Sequence, residues 1–443
     1  MSHTPTEGQP SGVPAGATHG GEVRARWAWT EPAVWSERML EALEQGVKGG
    51  TWFSLIDKVY APRTLAAAWR QVKARDGAGG VDRQTVEQFE AHADSYLQGL
   101  SEALRTGTYA PQPVRRCWID KPGRVEKRPL GIPTVTDRVV QTALRLVLEP
   151  IFEREFLPSS YGFRPGRGCK DALREVQRLL DGGATWVVDA DIKSYFDTIP
   201  HDPLLAEVRT RVADGGVLKL LAAYLTQGVL DGLEQWTPET GTPQGAVISP
   251  LLANLYLHPV DQALATGRYQ VVRYADDLVI LCRSEVEAQR ALTLLTHLLT
   301  GRGLRLHPEK TRIVDASHPG GFDFLGYHFE RGMHWPRRKS LRKLKDTVRR
   351  HTRRTRGVSL AVIVAELNPV LRGWFGYFQH SHHTTFPAVD KWVRMRLRSL
   401  LRKRRGRRGR GRGSDHQRWP NAYFHALGLF DLVTARQRVL RSP

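Results

Sequence analysis

The sequence predicts an α+β body that carries a helical, strongly basic C-terminal portion. Three observations lead there. Short apolar runs such as WVVDADI (186–192) and YQVVRYADDLVILC (269–282) alternate with helical stretches, but without βαβ regularity. The 443 residues exceed one ordinary domain, and a 41% hydrophobic content builds sizeable cores, which excludes a wholly disordered chain. Charge is split along the chain: residues 331–412 hold 25 basic and 3 acidic residues, whereas the remainder holds 41 and 42. A near-neutral body joined to so basic a portion points to a polyanion as partner, because each neutralised phosphate releases a counterion. Trp335, Trp374, Phe375, Tyr377, Phe378 and Trp392 interleave with the basic residues, which favours nucleic acid over a solvated face or a membrane surface.

In chain order, residues 1–22 are small, polar and turn-rich and are expected to be disordered, with no apolar stretch of signal-peptide type. Residues 27–110 read as helices, with Gly77–Gly80 as a break and a second helix after Asp82 through Phe89 and Leu97. CWIDKPGRVEKRPLGIP reads as a hairpin around Lys-Pro-Gly. Asp137 fits a helix N-cap, and Val139, Val140, Ala143, Leu144, Val147, Leu148, Ile151 and Phe152 follow at helical spacing, giving a helix with one buried face. Residues 203–228 and 251–264 read as helices, 269–282 as two strands with a tight turn at Ala275–Asp277, and 285–299 as a helix. GFDFLGYHF (321–329) is strand-like, the chain is helical and basic from 340, and Gly406–Gly413 is an Arg/Gly loop. No run approaches the roughly 20 apolar residues of a membrane span. Cys117, Cys169 and Cys282 lie far apart with no CxxC pair, so neither a disulfide framework nor a cysteine zinc site is expected. His380, His382 and His383 are not spaced as a helix-face zinc pair. A cytoplasmic protein is expected, associated with the nucleoid or a ribonucleoprotein.

Carboxylates inside apolar strands are the informative anomaly. Asp191 follows Val187 and Val188, and Asp276–Asp277 lies between VVRY and LVIL. Such acids are costly to bury unless paired or metal-bound. Two such strands side by side would bring Asp191 and Asp276 to one place, the ligand set that two-metal phosphoryl transfer needs, with Mg²⁺ as the ion that prefers carboxylates, phosphates and water. An Asp-Asp pair is also common in turns. Alternation puts Asp189 on the same face as Asp191. Spacing favours Asp191 as the ligand, because Phe196 five residues later would lie near an incoming sugar, and leaves Asp189 a structural hydrogen bond or salt bridge. Asp197 and His201 read as turn and capping residues.

YADD, ADIKSYFDTI, GTPQGAVISPLLANLYL, and HPEKT with FLGY occur in reverse-transcriptase order. RPLGIPTVTDRVVQTAL, YGFRPGRG and LRGWFGYF are similar to blocks of one branch. Over roughly residues 55–430 the chain resembles a bacterial group II intron-encoded reverse transcriptase and maturase. The resemblance implies a right-hand polymerase: fingers and palm with an antiparallel palm sheet at 51–330, after an N-terminal extension at 1–50. A helical thumb or maturase (X) region at 331–385 and a basic DNA-binding region at 386–443 would follow. It implies Asp191, Asp276 and Asp277 as catalytic acids holding two Mg²⁺ ions, Asp277 the more peripheral, with the Ile192 carbonyl completing the metal shell. Phe196 would be the steric gate against a ribose 2′-hydroxyl, and Gln244 would line the nucleotide pocket. Lys121 and Arg128 on the finger hairpin would hold the triphosphate, and Lys310 would sit near the leaving phosphates as a proton donor. Arg164 and Arg167 would meet template phosphates, and Tyr274 the primer end. The bland alternatives are a Gly-Pro turn for Gln244, a mere turn for the GFRPGRG loop with Arg164 and Arg167, a solvated hairpin tip for Lys121, a surface strand position for Arg128, an ion pair with Glu309 for Lys310, and a core ring for Tyr274.

The implied activity is RNA-directed DNA polymerisation with maturase function. Its partners would be structured intron RNA, an RNA template with a DNA primer, deoxynucleotides and target DNA, with no membrane; the oligomeric state is not legible. The chain is expected to lack the HNH endonuclease module of many relatives, having neither the room nor the cysteine pairs for it. A domesticated enzyme in DNA repair or phage defence, or a non-catalytic splicing maturase, are the other readings; the latter should have eroded acids, whereas Asp191, Asp276, Asp277 and Gln244 are all present.

Overall fold

The computed structural model describes residues 23–47, 49–120 and 127–441. The start of the chain expected to be disordered, and Lys121, expected at a hairpin tip, lie outside the described residues. Among the described residues the strands are β1 (Val114–Asp120), β2 (Lys127–Ile132), β3 (Trp186–Asp191), β4 (Val229–Asp231), β5 (Glu234–Trp236) and β6 (Gln270–Tyr274). They continue as β7 (Asp277–Cys282), β8 (Arg312–Asp315), β9 (Phe322–Phe324), β10 (Tyr327–Glu330) and β11 (Met333–Pro336). The chain divides into two compact units. The first takes the described residues up to Arg167 with Ile192–Ala263 and His297–Arg305, and the second takes Gly168–Asp191, Leu264–Thr296 and the described residues from Leu306.

The first unit is organised by helix Val135–Glu153. The sequence predicts one buried face; the helix is enclosed nearly all round, since Gln141 and Thr142 are as buried as Val139 and Leu148. Helix Pro62–Arg75 packs along it, and Trp35 donates its ring N–H to the Leu146 carbonyl at 2.9 Å. Its N-cap is Thr134, whose hydroxyl accepts the Asp137 amide at 3.0 Å. Asp137 is buried one turn in and accepts the hydroxyls of Tyr109 (2.5 Å) and Thr134 (2.8 Å), so its carboxylate is satisfied side-chain to side-chain instead of capping. The helix expected after Asp82 is two, Val86–Glu90 and Ala93–Thr106, the first closed by a Thr85–Gln88 capping box. Residues 203–228 also split, into His201–Arg209 and Gly215–Leu225. Asp214 caps the latter through the Val217 amide at 3.0 Å and accepts the Leu55 and Ile56 amides as well.

The hairpin read from the sequence is present: β1 and β2 pair antiparallel from Arg115↔Ile132 to Asp120↔Lys127. A second hairpin, β4–β5, joins it through a parallel β1–β4 ladder, giving the order β2-β1-β4-β5. The segment before helix Ser249–Thr266 is fastened from several sides. Gly241 N–H donates to Ile199 O and Thr242 N–H to Phe196 O, both at 2.7 Å. Gly131 N–H donates to Gln244 O at 2.7 Å, and Val247 N–H to Gln141 Oε1 at 2.7 Å.

In the second unit a four-stranded sheet runs β6-β7-β3-β8, antiparallel at every step. Val187, Val188 and Ala190 of β3 and Leu278–Cys282 of β7 are buried, and helix Cys169–Asp181 packs on β6 and β7. A three-stranded sheet, β11-β10-β9, follows. FLGY and GYF lock together: Tyr327 donates to the Tyr377 carbonyl at 2.7 Å and Tyr377 to the Leu325 carbonyl at 2.6 Å. Helices Arg338–His351, Leu360–Phe378 and Thr385–Arg404 share one core with the closing helices, around Val348, Ile363, Leu371, Phe386, Phe424 and Leu432. Phe375 and Phe378 are buried, and Trp374 packs half-buried on Phe378 at 5.0 Å between ring centroids, as a core position.

Gly245 is where the fastened segment tolerates no side chain. Its φ is +108°, and a Cβ there would sit 2.5 Å from the Gly131 carbonyl. Gly245→Ala should destabilise the protein by about 1–3 kcal/mol, read as a lowered denaturation midpoint. An unchanged midpoint would mean that the contact is not made in solution.

Candidate active site

The acids gather at one end of the β6-β7-β3-β8 sheet. Asp191 lies opposite Asp277 in the β3–β7 register, and Asp189 lies opposite Val279 and Arg312. Facing residues share a side of the sheet, so Asp189, Asp191, Asp277 and Arg312 lie on one face. Facing Cα atoms are about 5 Å apart, and Asp276 is one step of about 3.8 Å from Asp277. Asp191 and Asp276 therefore come within about a nanometre.

Asp276 sits in a two-residue turn between paired Tyr274 and Asp277. Ala275 takes φ +60°, a left-handed conformation that costs a non-glycine residue about 1–3 kcal/mol. Arg273, 1% exposed, donates to the Ala275 carbonyl at 2.9 Å and holds that turn. Arg273 was not singled out in the sequence; a charged residue inside the apolar run QVVRY was the signal.

Cations meet the two acids of β3. Lys310 Nζ lies 2.5 Å from Asp191 Oδ2, and Arg312 Nε lies 3.3 Å from Asp189 Oδ2. Lys310 thus pairs with Asp191 and not with Glu309. Asp189 has the salt bridge expected of it. Burial pushes the Asp277 carboxyl up to about 7, helped by the charges of Asp189, Asp276 and Asp191 and opposed by Arg337. Burial likewise raises Asp189 to about 6, against the pull of Arg312. Tyr274 hydrogen-bonds the Cys169 side chain, and burial with that bond pushes its hydroxyl up to about 12. Among the described residues no three His, Cys, Asp or Glu side chains stand arranged to hold a metal ion, in keeping with Asp191 being turned onto Lys310. The donor set still fits a hard divalent cation. Asp191, Asp276 and Asp277 bring hard carboxylate oxygens to one end of the sheet, and Mg²⁺ needs only one or two of them beside water and phosphate.

The first unit holds the residues expected to select a nucleotide. Phe196 is half-buried and packs edge-on to buried Tyr195, whose hydroxyl donates to the Ala253 carbonyl at 2.5 Å. Gln244 Nε2 lies 3.4 Å from both carboxylate oxygens of Asp197. Asp197, read from sequence as a turn residue, thereby orients the Gln244 amide. Phe196, Asp197 and Gln244 line one cavity of about 530 Å³. Ile192 is buried. Arg128 is exposed on β2, opposite Ile119.

Arg164 departs from the expected template contact. It is buried, pairs with Glu153 at 2.6 Å, and donates to the carbonyls of Leu157, Ser160 and Phe156. Its guanidinium organises the YGFRPGRG loop from inside. Arg167, half-buried, donates to the Pro158 carbonyl at 2.9 Å and lies over the Tyr161 ring.

Comparison with known proteins agrees with the motifs. The family described as reverse transcriptase (RNA-dependent DNA polymerase) matches residues 119–329, and the group II intron maturase-specific domain matches residues 341–419. The group II intron-encoded protein LtrA of Lactococcus lactis subsp. cremoris is 39% identical over 203 residues, which are 45% of this chain and 33% of LtrA. The match thus spans a third of LtrA's length. Protein YkfC of Escherichia coli (strain K12) is 35% identical over 351 residues, 69% of this chain and 86% of YkfC. Among solved structures, a partial Cas6-RT-Cas1–Cas2 complex is similar over 56% of this chain and 41% of that one, at 26% identity and a TM-score of 0.37.

The raised carboxyls carry a stability consequence. Asp277 binds its proton more tightly folded (about 7) than unfolded (about 4), so folding is favoured at low pH and loses stability as pH rises between those values. In chelator, Asp277→Asn should melt a few degrees above wild type at neutral pH, with the gap closing towards pH 4. Parallel melting curves across that range would contradict the charge-crowding account.

Proposed function

The chain belongs to the group II intron-encoded reverse transcriptase and maturase family, and on that footing we propose that it is an RNA-directed DNA polymerase that also assists the splicing of a structured intron RNA. The reading rests above all on the facing of Asp191 and Asp277 with Asp276 on the adjoining turn. A primer 3′-oxygen attacks the α-phosphate of a deoxynucleotide and pyrophosphate leaves. Two Mg²⁺ ions, when bound, supply activation of that hydroxyl and neutralisation of the leaving group. Asp191 and Asp276 are the carboxylates that hold them, with Asp277 more peripheral and the Ile192 carbonyl as a further oxygen.

Lys310 exchanges Asp191 for the leaving phosphates and delivers a proton there. Phe196 excludes a 2′-hydroxyl, and Gln244, oriented by Asp197, meets the sugar. Arg128, together with Lys121, holds the triphosphate, Arg167 meets the template and Tyr274 backs the primer end. The enzyme's contribution is positioning and electrostatics. The basic helices from 331 onward serve as thumb and as an RNA- and DNA-binding surface whose phosphate contacts position without reading sequence. No described helix is long and apolar enough to cross a membrane.

Two substitutions test this on an annealed DNA primer and RNA template. Asp276→Ala should lower extension by about a thousandfold and leave RNA retention on a filter unchanged. Extension that persists would refute the assignment. Phe196→Ala should relax discrimination against ribonucleotides by roughly tenfold or more, measured as the ratio of kcat/KM values. An unchanged ratio would remove Phe196 from sugar selection.

A further inference from the structure

The finger sheet carries an aromatic arrangement that none of these roles uses. Arg116 and Trp118 alternate on one face of β1, and Trp236 ends β5 two strands away. The Arg116 guanidinium lies 5.6 Å from the Trp118 ring centre and 4.7 Å from that of Trp236. Trp118 is further fixed by its ring N–H, which donates to Asp231 Oδ2 at 3.0 Å. Both indoles remain substantially exposed, 49% for Trp118 and 37% for Trp236. Arg116 and Trp236 also line the 530 Å³ cavity that contains Phe196 and Gln244.

Exposed tryptophans are usually a liability, and here two charged partners, Arg116 and Asp231, hold two of them in place. We propose that Arg116, Trp118 and Trp236 form a stacking platform for an unpaired base of the RNA template. The proposal rests on the polymerase reading for the identity of the strand. The acids nearby decide which part of a nucleotide is taken. Asp231 and Glu234 flank the hairpin turn beside the two rings, so a phosphate laid on the platform would meet negative charge. Arg116, the cation among the residues that line the cavity, is already engaged between two rings. What the platform offers is π surface backed by a guanidinium, which binds base faces irrespective of sequence. A base in a duplex has its faces covered; a base in a single strand does not. The strand that is unpaired beside a nucleotide-selecting cavity is the template still to be copied.

The test is equilibrium binding, by fluorescence anisotropy, of a labelled DNA primer annealed to RNA with a short 5′ overhang, natural or abasic. Wild type should bind the natural overhang about tenfold tighter than the abasic one, with a ratio that barely changes with salt because no phosphate is involved. Trp236→Ala should bind both alike, at the wild-type abasic level, and Trp236→Phe should keep most of the ratio. A wild type indifferent to the missing bases, or a Trp236→Ala variant that keeps the tenfold ratio, would overturn the proposal. Wild type that shows the ratio yet extends no primer would defeat the polymerase reading and leave base stacking standing.

Discussion

Like charge held at short range at the end of the β6-β7-β3-β8 sheet is the constraint on which the second unit is built. Asp189, Asp191 and Asp277 share a face, with Asp276 on the adjoining turn. Such an arrangement repels itself, and the sheet answers with cations from β8 and the turn before it. The two answers differ in kind. Arg312 keeps the more buried Asp189 company, and a guanidinium is a permanent, weakly hydrated charge suited to a fixed pair. Lys310 reaches the more exposed Asp191 from a flexible stem, and an ammonium is a point charge that can be exchanged for another cation. One carboxylate is thereby tied into the sheet and its neighbour is left exchangeable.

The first unit solves a different problem, holding Phe196 and Gln244 in place although both lie in short connections. Backbone hydrogen bonds do it. Phe196 O, Gln244 O and the Gln141 side chain each take an amide from a different part of the fold, so the loop is tied at both ends and in the middle. The price is steric: Gly241 and Gly245 both adopt positive φ, and a Cβ on either would strike backbone at 2.8 or 2.5 Å. Rigidity there comes from close backbone approach, which only glycine permits.

Much of this was legible before any coordinates. Periodicity located the β1–β2 hairpin, the strands bearing the acids and the helix after Thr134, and polar residues in apolar runs marked Asp191, Asp276 and Asp277. What escaped depends on long-range partners. Nothing local distinguishes a helix buried on one face from one enclosed all round, and Gln141 became a core residue because Val247 offers it an amide. Arg164 reads as a basic loop residue until Glu153 and three carbonyls surround it. The β4–β5 hairpin was not read from the sequence, although Asp231-Gly232 is a hairpin dipeptide and Gly232 does take φ +64°; its pairing with β1, and so the meeting of Trp118 with Trp236, has no local signal at all.

The basic C-terminal portion shows how a chain can fold while keeping its charge available. Residues 331–412 contain three acids, Asp346, Glu366 and Asp390, and each has a partner within the C-terminal portion. Asp346 pairs with Arg349 at 2.5 Å within its own helix. Glu366 accepts from Arg356 and His351, which hold its carboxyl down at about 2. Asp390 is buried and accepts the amides of Leu432 and Val433, joining the last helix to the core. Just beyond, buried Asp415 accepts from Arg402 and from the Arg412 amide, anchoring both ends of the Arg/Gly loop. Apart from Asp346, carboxylates in this region therefore act at the joints of the fold. The basic side chains outnumber them so heavily that most have no acidic partner in the same segment, and their remaining counter-charge has to come from solvent ions or from the phosphates that displace them.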